Sequence, residues 1–275
     1  MKNIDLATVK SFGDEWQRYD QSGMEENELE KLFKGYFKIF PWNDLPKLAK
    51  GFDIGCGSGR WAKFVAPKVG HLNCVDPSKA INIAKKKLKK FKNITFHKKS
   101  LDSLGLKCKS QDFGYSLGVL HHVPNTQEAI KSCSNLLKPG APFLIYIYYN
   151  FDNRPLWFKY LWGFSNLIRL VVHRLPKYLK FLICDLIAFL IYLPLARSAK
   201  LIDLFGLNFR NYPLYFYRNR SFYVMRTDAR DRFGTPLERR FSKKEIIKMM
   251  KKAGLEKIRF SSLPPYWTAI GFKKN

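Results

Sequence analysis

The sequence has little negative charge and few cysteines, and these shortages exclude several kinds of protein. Its 275 residues include 22 Asp and Glu against 49 Lys and Arg, a formal net charge of +27. The five cysteines are odd in number and lack a CxxC pair, so we expect neither a disulfide framework nor a metal site. Asp5, Asp14 and Glu15 stand where a signal peptide would be apolar, which favours a cytoplasmic location.

The positive charge is spread unevenly along the chain. Residues 1–50 carry 8 Lys and Arg against 9 Asp and Glu, whereas residues 51–275 carry 41 against 13. A positive surface attracts nucleic acid, anionic lipid or phosphorylated molecules. Solvated lysine-rich helix faces, such as residues 85–92, explain the same excess. Charge alone therefore does not select a partner.

Short apolar runs alternate with helical patterns over the first half of the chain. The pattern predicts strands at 51–54, 71–75, 94–96, 113–117 and 143–149, and helices at 25–40, 78–91 and 125–136. Ser78 is a predicted N-cap of the second of these helices. Regular alternation of strand and helix favours an α/β fold with a Rossmann-like, doubly wound, mostly parallel sheet.

The C-terminal part returns to this sheet after an insert. Ser242 and Glu245 form a capping box, and Gly254 ends the helix that follows. Strands at 257–261 and 267–272 then predict an antiparallel edge. We therefore divide the chain into an N-terminal helical cap segment (1–50), the core (51–150), an apolar and basic helical insert (151–227) and a C-terminal helix with strands (228–275).

A glycine-rich turn follows the first predicted strand. Its motif D-x-G-x-G-x-G consists of Asp53, Gly55, Gly57 and Gly59. Arg60 stands where the dinucleotide fingerprint G-x-G-x-x-G needs its last glycine. Asp76 ends the second strand, where a carboxylate can accept hydrogen bonds from two ribose hydroxyls. The turn therefore predicts a nucleotide-type ligand other than NAD.

This motif, followed by Val75-Asp76-Pro77, resembles the class I S-adenosylmethionine-dependent methyltransferases. Leu120-His121-His122-Val123 and Leu137-Lys138-Pro139-Gly140 are similar to segments of the ubiquinone- and menaquinone-biosynthesis type. The resemblance covers 51–150 well and 228–275 more loosely, and it does not cover 151–227.

The resemblance implies S-adenosylmethionine as the cofactor and assigns residues to it. The implied cofactor-binding residues are Asp53, Gly55, Cys56, Gly57, Gly59, Asp76, Pro77, Ser100, Leu101, Asp102 and Leu117. Ser100 stands where these families often have an Asp beside the adenine, so the adenine contact is assigned loosely to 100–102. The segment Phe12-Gly13-Asp14-Glu15-Trp16 is expected to fold over the cofactor.

Two adjacent histidines are the candidate catalytic residues. A hydroxyl acceptor must lose its proton, and His121 or His122 is the best-placed base, whereas a carbon or nitrogen acceptor needs none. We expect Cys56 to be a small residue beside the ligand and not a nucleophile.

The insert favours an apolar acceptor. Residues 154–175 predict an amphipathic helix with Lys159, Arg169 and Arg174 on one side and Trp157 and Phe164 on the other. Residues 181–196 are more apolar, yet 16 helical residues span only about 24 Å of a hydrocarbon core of about 30 Å. A lid or dimer surface, a monotopic lipid contact through 154–196 and a membrane span remain as alternatives.

The expected acceptor is a small, apolar or lipid-linked molecule, such as a quinone-like compound or a glycan intermediate. The alternatives are an RNA methyltransferase, which the charge of +27 favours, and a non-catalytic S-adenosylmethionine-binding protein. The sequence shows no appended RNA-binding motif, and we expect nucleic acid to bind only non-specifically.

Overall fold

The computed structural model describes residues 3–20, 22–207 and 211–275. The chain divides into two compact units, which we describe separately. Unit 1 comprises Met1–Gln21, Leu29–Asn150 and Leu237–Asn275, and unit 2 comprises Ser22–Glu28 and Phe151–Pro236. The predicted boundary at 227/228 falls inside a helix, Phe222–Gly234, whereas the second unit ends at Pro236.

Unit 1 is built on a seven-stranded sheet. Its strands are β1 Lys50–Ile54, β2 His71–Val75, β3 Ile94–His97, β4 Phe113–Leu117, β5 Pro142–Tyr146, β6 Leu255–Phe260 and β7 Thr268–Lys273. Their order is β3-β2-β1-β4-β5-β7-β6, with β1 to β5 parallel and β6 and β7 antiparallel. This confirms the predicted Rossmann-like sheet with an antiparallel C-terminal edge.

The helices are numbered along the whole chain. They are α1 Leu6–Arg18, α2 Glu26–Tyr36, α3 Ala62–Val65, α4 Ala80–Lys87, α5 Thr126–Leu136, α6 Leu156–Val172, α7 Lys177–Ile187, α8 Leu193–Leu204, α9 Phe222–Gly234 and α10 Lys243–Lys252. The α5 helix starts at its predicted cap, because the Asn125 side chain accepts from the Glu128 amide. The N-cap of α4 is Lys79 and not the predicted Ser78.

Burial explains why the central strands are continuous apolar runs. Every residue of β4 is buried, whereas β6, at the edge, alternates between buried and more exposed positions. Helices cover both faces of a parallel sheet, so its inner strands have no solvent face. Side chains of β1 and β5 pack with those of α5 and α10 in one core, which includes Phe52, Ile130, Phe143 and Ile246.

Unit 2 is helical and has its own core. Val172 of α6, Cys184 of α7, Ala196 of α8 and Met225 and Phe233 of α9 belong to one buried cluster. The α7 and α8 helices are joined without a break by a π-helical turn, Ala188–Tyr192, into a helix of 28 residues, Lys177–Leu204. The expectation of only 16 helical residues is therefore wrong.

The predicted polar side of α6 is also wrong in one position. Arg169 is buried, and its guanidinium donates to the Thr235 and Pro236 carbonyls at 2.9 and 3.0 Å. The predicted apolar side, with Trp157 and Phe164, is the exposed one. The helix therefore turns its arginine inward and its apolar side outward.

Candidate active site

The candidate site lies at the carboxyl ends of the parallel strands of unit 1. Ligands of open α/β sheets bind at this edge because the loops after the strands converge there. Gly55 follows β1, and its amide donates to the Val75 carbonyl at the end of β2 at 2.8 Å. Leu117, the last residue of β4, is 5% exposed beside this edge. The topology thus brings together the segments that the sequence assigned to the cofactor.

The loop between β1 and α3 needs its glycines for its backbone conformation. Gly55, Gly57 and Gly59 have φ angles of 77°, 54° and 79°, which L residues rarely adopt. Space is also restricted, since a Cβ on Gly55 would lie 2.3 Å from a methyl carbon of Val119. At these glycines the loop therefore presents backbone atoms, without side chains, to a bound ligand.

Asp76 holds this loop from the end of β2. One of its carboxylate oxygens accepts from the Gly57 amide at 2.9 Å, and the other accepts from the Ser78 amide and hydroxyl at 2.8 and 2.6 Å. Burial raises the pKa of Asp76, and these hydrogen bonds partly offset that rise. Pro77 separates the carboxylate from Ser78 and stays half-buried.

Asp53 is buried more completely than Asp76 and has fewer partners. It is 1% exposed, and its Oδ2 atom has no hydrogen-bond partner among the residues that the structure describes. Burial raises its pKa to about 8, and the nearby Asp76 charge adds to the rise, although the Tyr115 hydroxyl and, to a smaller extent, the Arg60 charge lower it in part. The carboxyl is therefore mostly protonated at neutral pH, and an approaching cation would favour its ionised form.

Cys56 fits the expectation that it is not a nucleophile. The thiol is buried, and the neighbouring Cys74 thiol together with burial raises the pKa of Cys56 well above its ordinary value. A nucleophilic cysteine needs a thiolate, and this environment disfavours one. Its small side chain fills space beside the loop.

The N-terminal helix α1 lies over the glycine loop. A Cβ on Gly57 would be 3.3 Å from Trp16 Nε1, and the Arg60 guanidinium stacks on the Trp16 ring at 5.2 Å. Phe12, one turn earlier, meets the His122 ring edge-on at 4.8 Å. The segment 12–16 thus touches both the predicted cofactor loop and a predicted catalytic histidine.

The two histidines follow β4 and differ in their surroundings. His121 is fully buried against Tyr148, with ring centroids 3.9 Å apart, and burial keeps its pKa well below the ordinary value. His122 is 5% exposed, and its Nδ1 donates to the Leu237 carbonyl at 2.6 Å. This hydrogen bond leaves Nε2 as the acceptor nitrogen of a neutral ring. Of the two, His122 is the one whose ring orientation this hydrogen bond fixes.

The predicted adenine contacts are less clearly grouped. The Ser100 hydroxyl lies 3.1 Å from the Ser103 hydroxyl, and Leu101 packs on the core. The exposed Asp102 accepts from the Asn3 backbone amide. The structure places these residues in the loop after β3, and their roles stay predictions.

Sequence reasoning missed three residues that position the site. Tyr115 faces Asp53 from β4, Ser78 orients Asp76, and the Leu237 carbonyl fixes the His122 tautomer. The role of Ser78 could have been predicted, because an Asp two residues before a Ser favours a local hydrogen bond from the Ser to the Asp side chain. The role of Leu237 could not have been predicted, because it lies 115 positions from His122 in the sequence and acts through its backbone carbonyl.

These residues fit S-adenosylmethionine. The sulfonium cofactor has a positive centre and a ribose, and the site offers a buried carboxyl without a complete set of partners, a second carboxylate at the end of β2 and a glycine cradle. Asp53, Asp76 and the loop from Gly55 to Gly59 would hold it.

The fold and this site resemble those of the class I S-adenosylmethionine-dependent methyltransferases, and the residues above fit S-adenosylmethionine as the cofactor. Residues 52–145 match a family described as a methyltransferase domain. The chain is similar to two ubiquinone biosynthesis O-methyltransferases. The one from Dechloromonas aromatica is 29% identical over 51% of this chain and 62% of the relative. The one from Coxiella burnetii is 31% identical over 51% of this chain and 61% of the relative.

The similarity to solved structures extends further along the chain but concerns the fold alone. A chain in the complex between the Haloferax volcanii Trm112 methyltransferase activator and its methyltransferase superposes with a TM-score of 0.55. It is 13% identical and covers 96% of this chain and 98% of that one. The alignments with the two ubiquinone biosynthesis enzymes span about three fifths of those proteins.

Proposed function

We propose that this protein transfers a methyl group from S-adenosylmethionine to a hydroxyl oxygen of an apolar or lipid-linked acceptor, such as a quinone-like molecule or a glycan intermediate. The observation that carries the proposal is the geometry of His122. Its Nδ1 donates to the Leu237 carbonyl at 2.6 Å, which fixes the ring orientation and the tautomer with the lone pair on Nε2. An O-methyltransferase needs such a base, because a neutral hydroxyl is a weak nucleophile.

The hydrogen bond to His122 is itself held in place. The Leu237 amide donates to the Thr8 hydroxyl of α1 at 3.2 Å, so α1 positions the carbonyl that orients the imidazole. Phe12 of the same helix packs on the ring. His122 therefore has a fixed orientation beside the end of β4, as a general base requires.

S-adenosylmethionine supplies an activated methyl group when bound. His122 Nε2 would take the proton of the acceptor hydroxyl, whose oxygen would receive the methyl group as the bond from that group to the cofactor sulfur broke. His121, kept neutral by burial, packs beside His122 with ring centroids 3.9 Å apart and adds no competing positive charge. The chain's other task is to orient the acceptor and exclude water.

Two observations support an apolar acceptor. The relatives named above are O-methyltransferases of ubiquinone biosynthesis, although they match only about half of this chain. The helices of unit 2 also expose many large apolar side chains. The charge of +27 equally attracts RNA, but such binding is salt-dependent and not evidence of catalysis.

The test is methyl transfer from tritium-labelled S-adenosylmethionine in a cell extract. We expect label in the organic-solvent or small-molecule fraction with the wild-type protein, and none with Gly57→Arg, which blocks the cofactor loop. His122→Gln should bind the cofactor with unchanged affinity and turn over about 100-fold or more slowly, because it lacks a base.

Three outcomes would contradict the proposal. Label found mainly in RNA, and lost with Gly57→Arg, would support an RNA methyltransferase. Cofactor binding without turnover on any fraction would support a non-catalytic binding protein. A His122→Gln protein with unchanged turnover would exclude the imidazole as the base and favour a carbon or nitrogen acceptor.

A further inference from the structure

Unit 2 exposes an unusually apolar surface on the long helix that α7 and α8 form. The large apolar side chains that this helix exposes between positions 178 and 191 are Tyr178, Leu179, Leu182, Leu186, Phe189, Leu190 and Ile191. Leu190, for example, is 63% exposed. Exposed apolar patches of this extent mark an interaction site and are rare on soluble monomers.

The α6 helix has a similar outward side. The large apolar residues exposed there are Leu156, Trp157, Tyr160, Leu161, Phe164, Leu167 and Val171. Both α6 and α7 pack against α9, which takes their inner sides into the core of the unit. Every residue of α9 is buried or half-buried. We call the two outward sides together the apolar face of unit 2.

The surroundings of the apolar face are positively charged. Residues 151–236 contain 14 Lys and Arg against 5 Asp and Glu. Arg174 and Lys177 lie exposed where α6 gives way to α7, and Lys200 lies exposed near the end of α8. Trp157, Tyr160 and Tyr178 are exposed aromatic side chains of the kinds that are enriched at membrane–water interfaces. A basic rim around an apolar helix side is typical of helices that lie on anionic bilayers.

We infer that the apolar face of unit 2 inserts into the surface of an anionic lipid bilayer. Charge complementarity favours lipid over a second copy of the chain, since two copies would bring the same positive rim together. Anionic headgroups neutralise that rim, while the acyl chains cover the apolar side chains. The inference goes beyond the proposed function and does not depend on it, because all its residues belong to unit 2.

The long helix lies in the bilayer surface and does not cross it. By length it could cross, because 28 residues span about 42 Å against a hydrocarbon core of about 30 Å. However, Asp185 within this helix forms a bidentate ion pair with Arg226 of α9 at 3.0 and 2.7 Å. A crossing helix would draw α9, with Arg226, Asp228 and Arg232, toward the hydrocarbon, where charge is costly. An in-plane helix keeps α9 on the aqueous side.

The first test is flotation of the purified full-length protein with vesicles. We expect it to float with phosphatidylcholine vesicles that contain phosphatidylglycerol, and less with phosphatidylcholine alone or at high salt. Phe164→Ser with Leu190→Ser should lower the partition coefficient about 100-fold, since each side chain loses its transfer into lipid. The matched control is Leu48→Ser with Leu263→Ser, which removes two exposed leucines of unit 1 and should float like the wild type.

Two readouts separate failure of this inference from failure of the fold or of the proposed function. Circular dichroism and S-adenosylmethionine binding should be unchanged in both double variants, because the four side chains are exposed and outside the cofactor loop. If neither the wild type nor any variant floats, or all float equally, the inference is overturned. A concentration-dependent dimer that only the Phe164→Ser and Leu190→Ser variant loses would assign the apolar face to a second copy.

The second test addresses orientation in the bilayer. In a Cys108→Ser background, which removes the exposed native thiol, cysteines are placed singly at Lys177 and Lys200. A membrane-impermeant maleimide outside intact vesicles should label both positions when the helix lies in the surface. Protection of one position until detergent is added would show a span and overturn the in-plane orientation.

Discussion

Two buried carboxyl groups at the ends of neighbouring strands have different hydrogen-bonding environments. Asp76 accepts three hydrogen bonds from the Gly57 amide and from Ser78, whereas Asp53 Oδ2 has no partner among the described residues. Asp76 is therefore held as an acceptor, while the charge of Asp53 depends on what lies nearby. The two residues give different predictions for cofactor binding.

Asp76→Ala is expected to weaken S-adenosylmethionine binding about 100-fold or more. It removes two charge-assisted hydrogen bonds to the ribose, each worth about 1.5–3 kcal/mol. Calorimetry on the folded variant measures the change. Ser78→Ala is the matched control, because it keeps the carboxylate and removes only one of its supporting hydrogen bonds. Equal losses in both variants, or no loss in Asp76→Ala, would remove the ribose assignment.

Asp53 should make cofactor binding depend on pH. Its pKa is about 8 in the free protein, so a cationic ligand beside it must displace a proton at neutral pH. We expect affinity to rise from pH 6 to pH 8, by about tenfold per pH unit at most, and to level off above pH 8. Calorimetry in buffers of different ionisation enthalpy should detect the released proton. Asp53→Asn should show neither effect, and a pH-dependent Asn variant would contradict this assignment.

The stability of the free protein should respond to Asp53 in the opposite direction. Because the folded pKa lies above the ordinary aspartate value of 3.8, the folded state holds the proton more tightly than the unfolded state. The resulting stabilisation is fully present below about pH 4 and is lost as pH rises through about 8. Cofactor binding and folding therefore favour opposite protonation states of one side chain.

The capping box that the sequence predicts at the start of α10 is present in the structure. The Ser242 hydroxyl accepts from the Glu245 amide, and the Glu245 carboxylate accepts from the Ser242 amide at 2.7 Å. Ser242→Ala should lower the free energy of unfolding by about 1 kcal/mol. Urea unfolding measures this value, and Ser242→Asp, which keeps a capping oxygen, should recover most of it. An alanine variant as stable as the wild type would show that the box contributes little.

Elements defined by neighbouring residues were predictable, and those defined by distant partners were not. The predicted strands at 71–75 and 113–117 match the observed ones residue for residue, since burial on both faces gives continuous apolar runs. The helix continues through Pro194, because the π-helical turn directly before it accommodates the missing amide hydrogen. Asp185 is tolerated within the helix because Arg226 pairs with it.

In the candidate site, too, the features set by neighbouring residues were predictable and those set by distant partners were not. The glycine loop, Asp53, Asp76 and the two histidines could be selected from sequence, because each follows a strand whose end the apolar pattern marks. The contact of Leu237 with His122 and the inward turn of Arg169 depend on residues at least 66 positions away. No local pattern encodes such contacts.

At the scale of the whole molecule, the chain leaves unit 1 after Asn150 and returns to it at Leu237. The Asn150 amide donates to the Phe241 carbonyl, so the exit and the return lie side by side within unit 1. The parallel part of the sheet and its closing strands thus lie on opposite sides of the insert in sequence. The order of the elements therefore separates two halves of one sheet.

This order has a consequence during synthesis. The β5 strand pairs with β7, and 121 residues separate the end of β5 at Tyr146 from the start of β7 at Thr268. Until the ribosome has made them, β5 is an uncovered edge strand with a sequence of Pro-Phe-Leu-Ile-Tyr. The apolar helices of unit 2 emerge during that interval. The nascent chain therefore exposes an unpaired apolar strand and the apolar helices of unit 2 at the same time, and both favour aggregation unless a chaperone covers them.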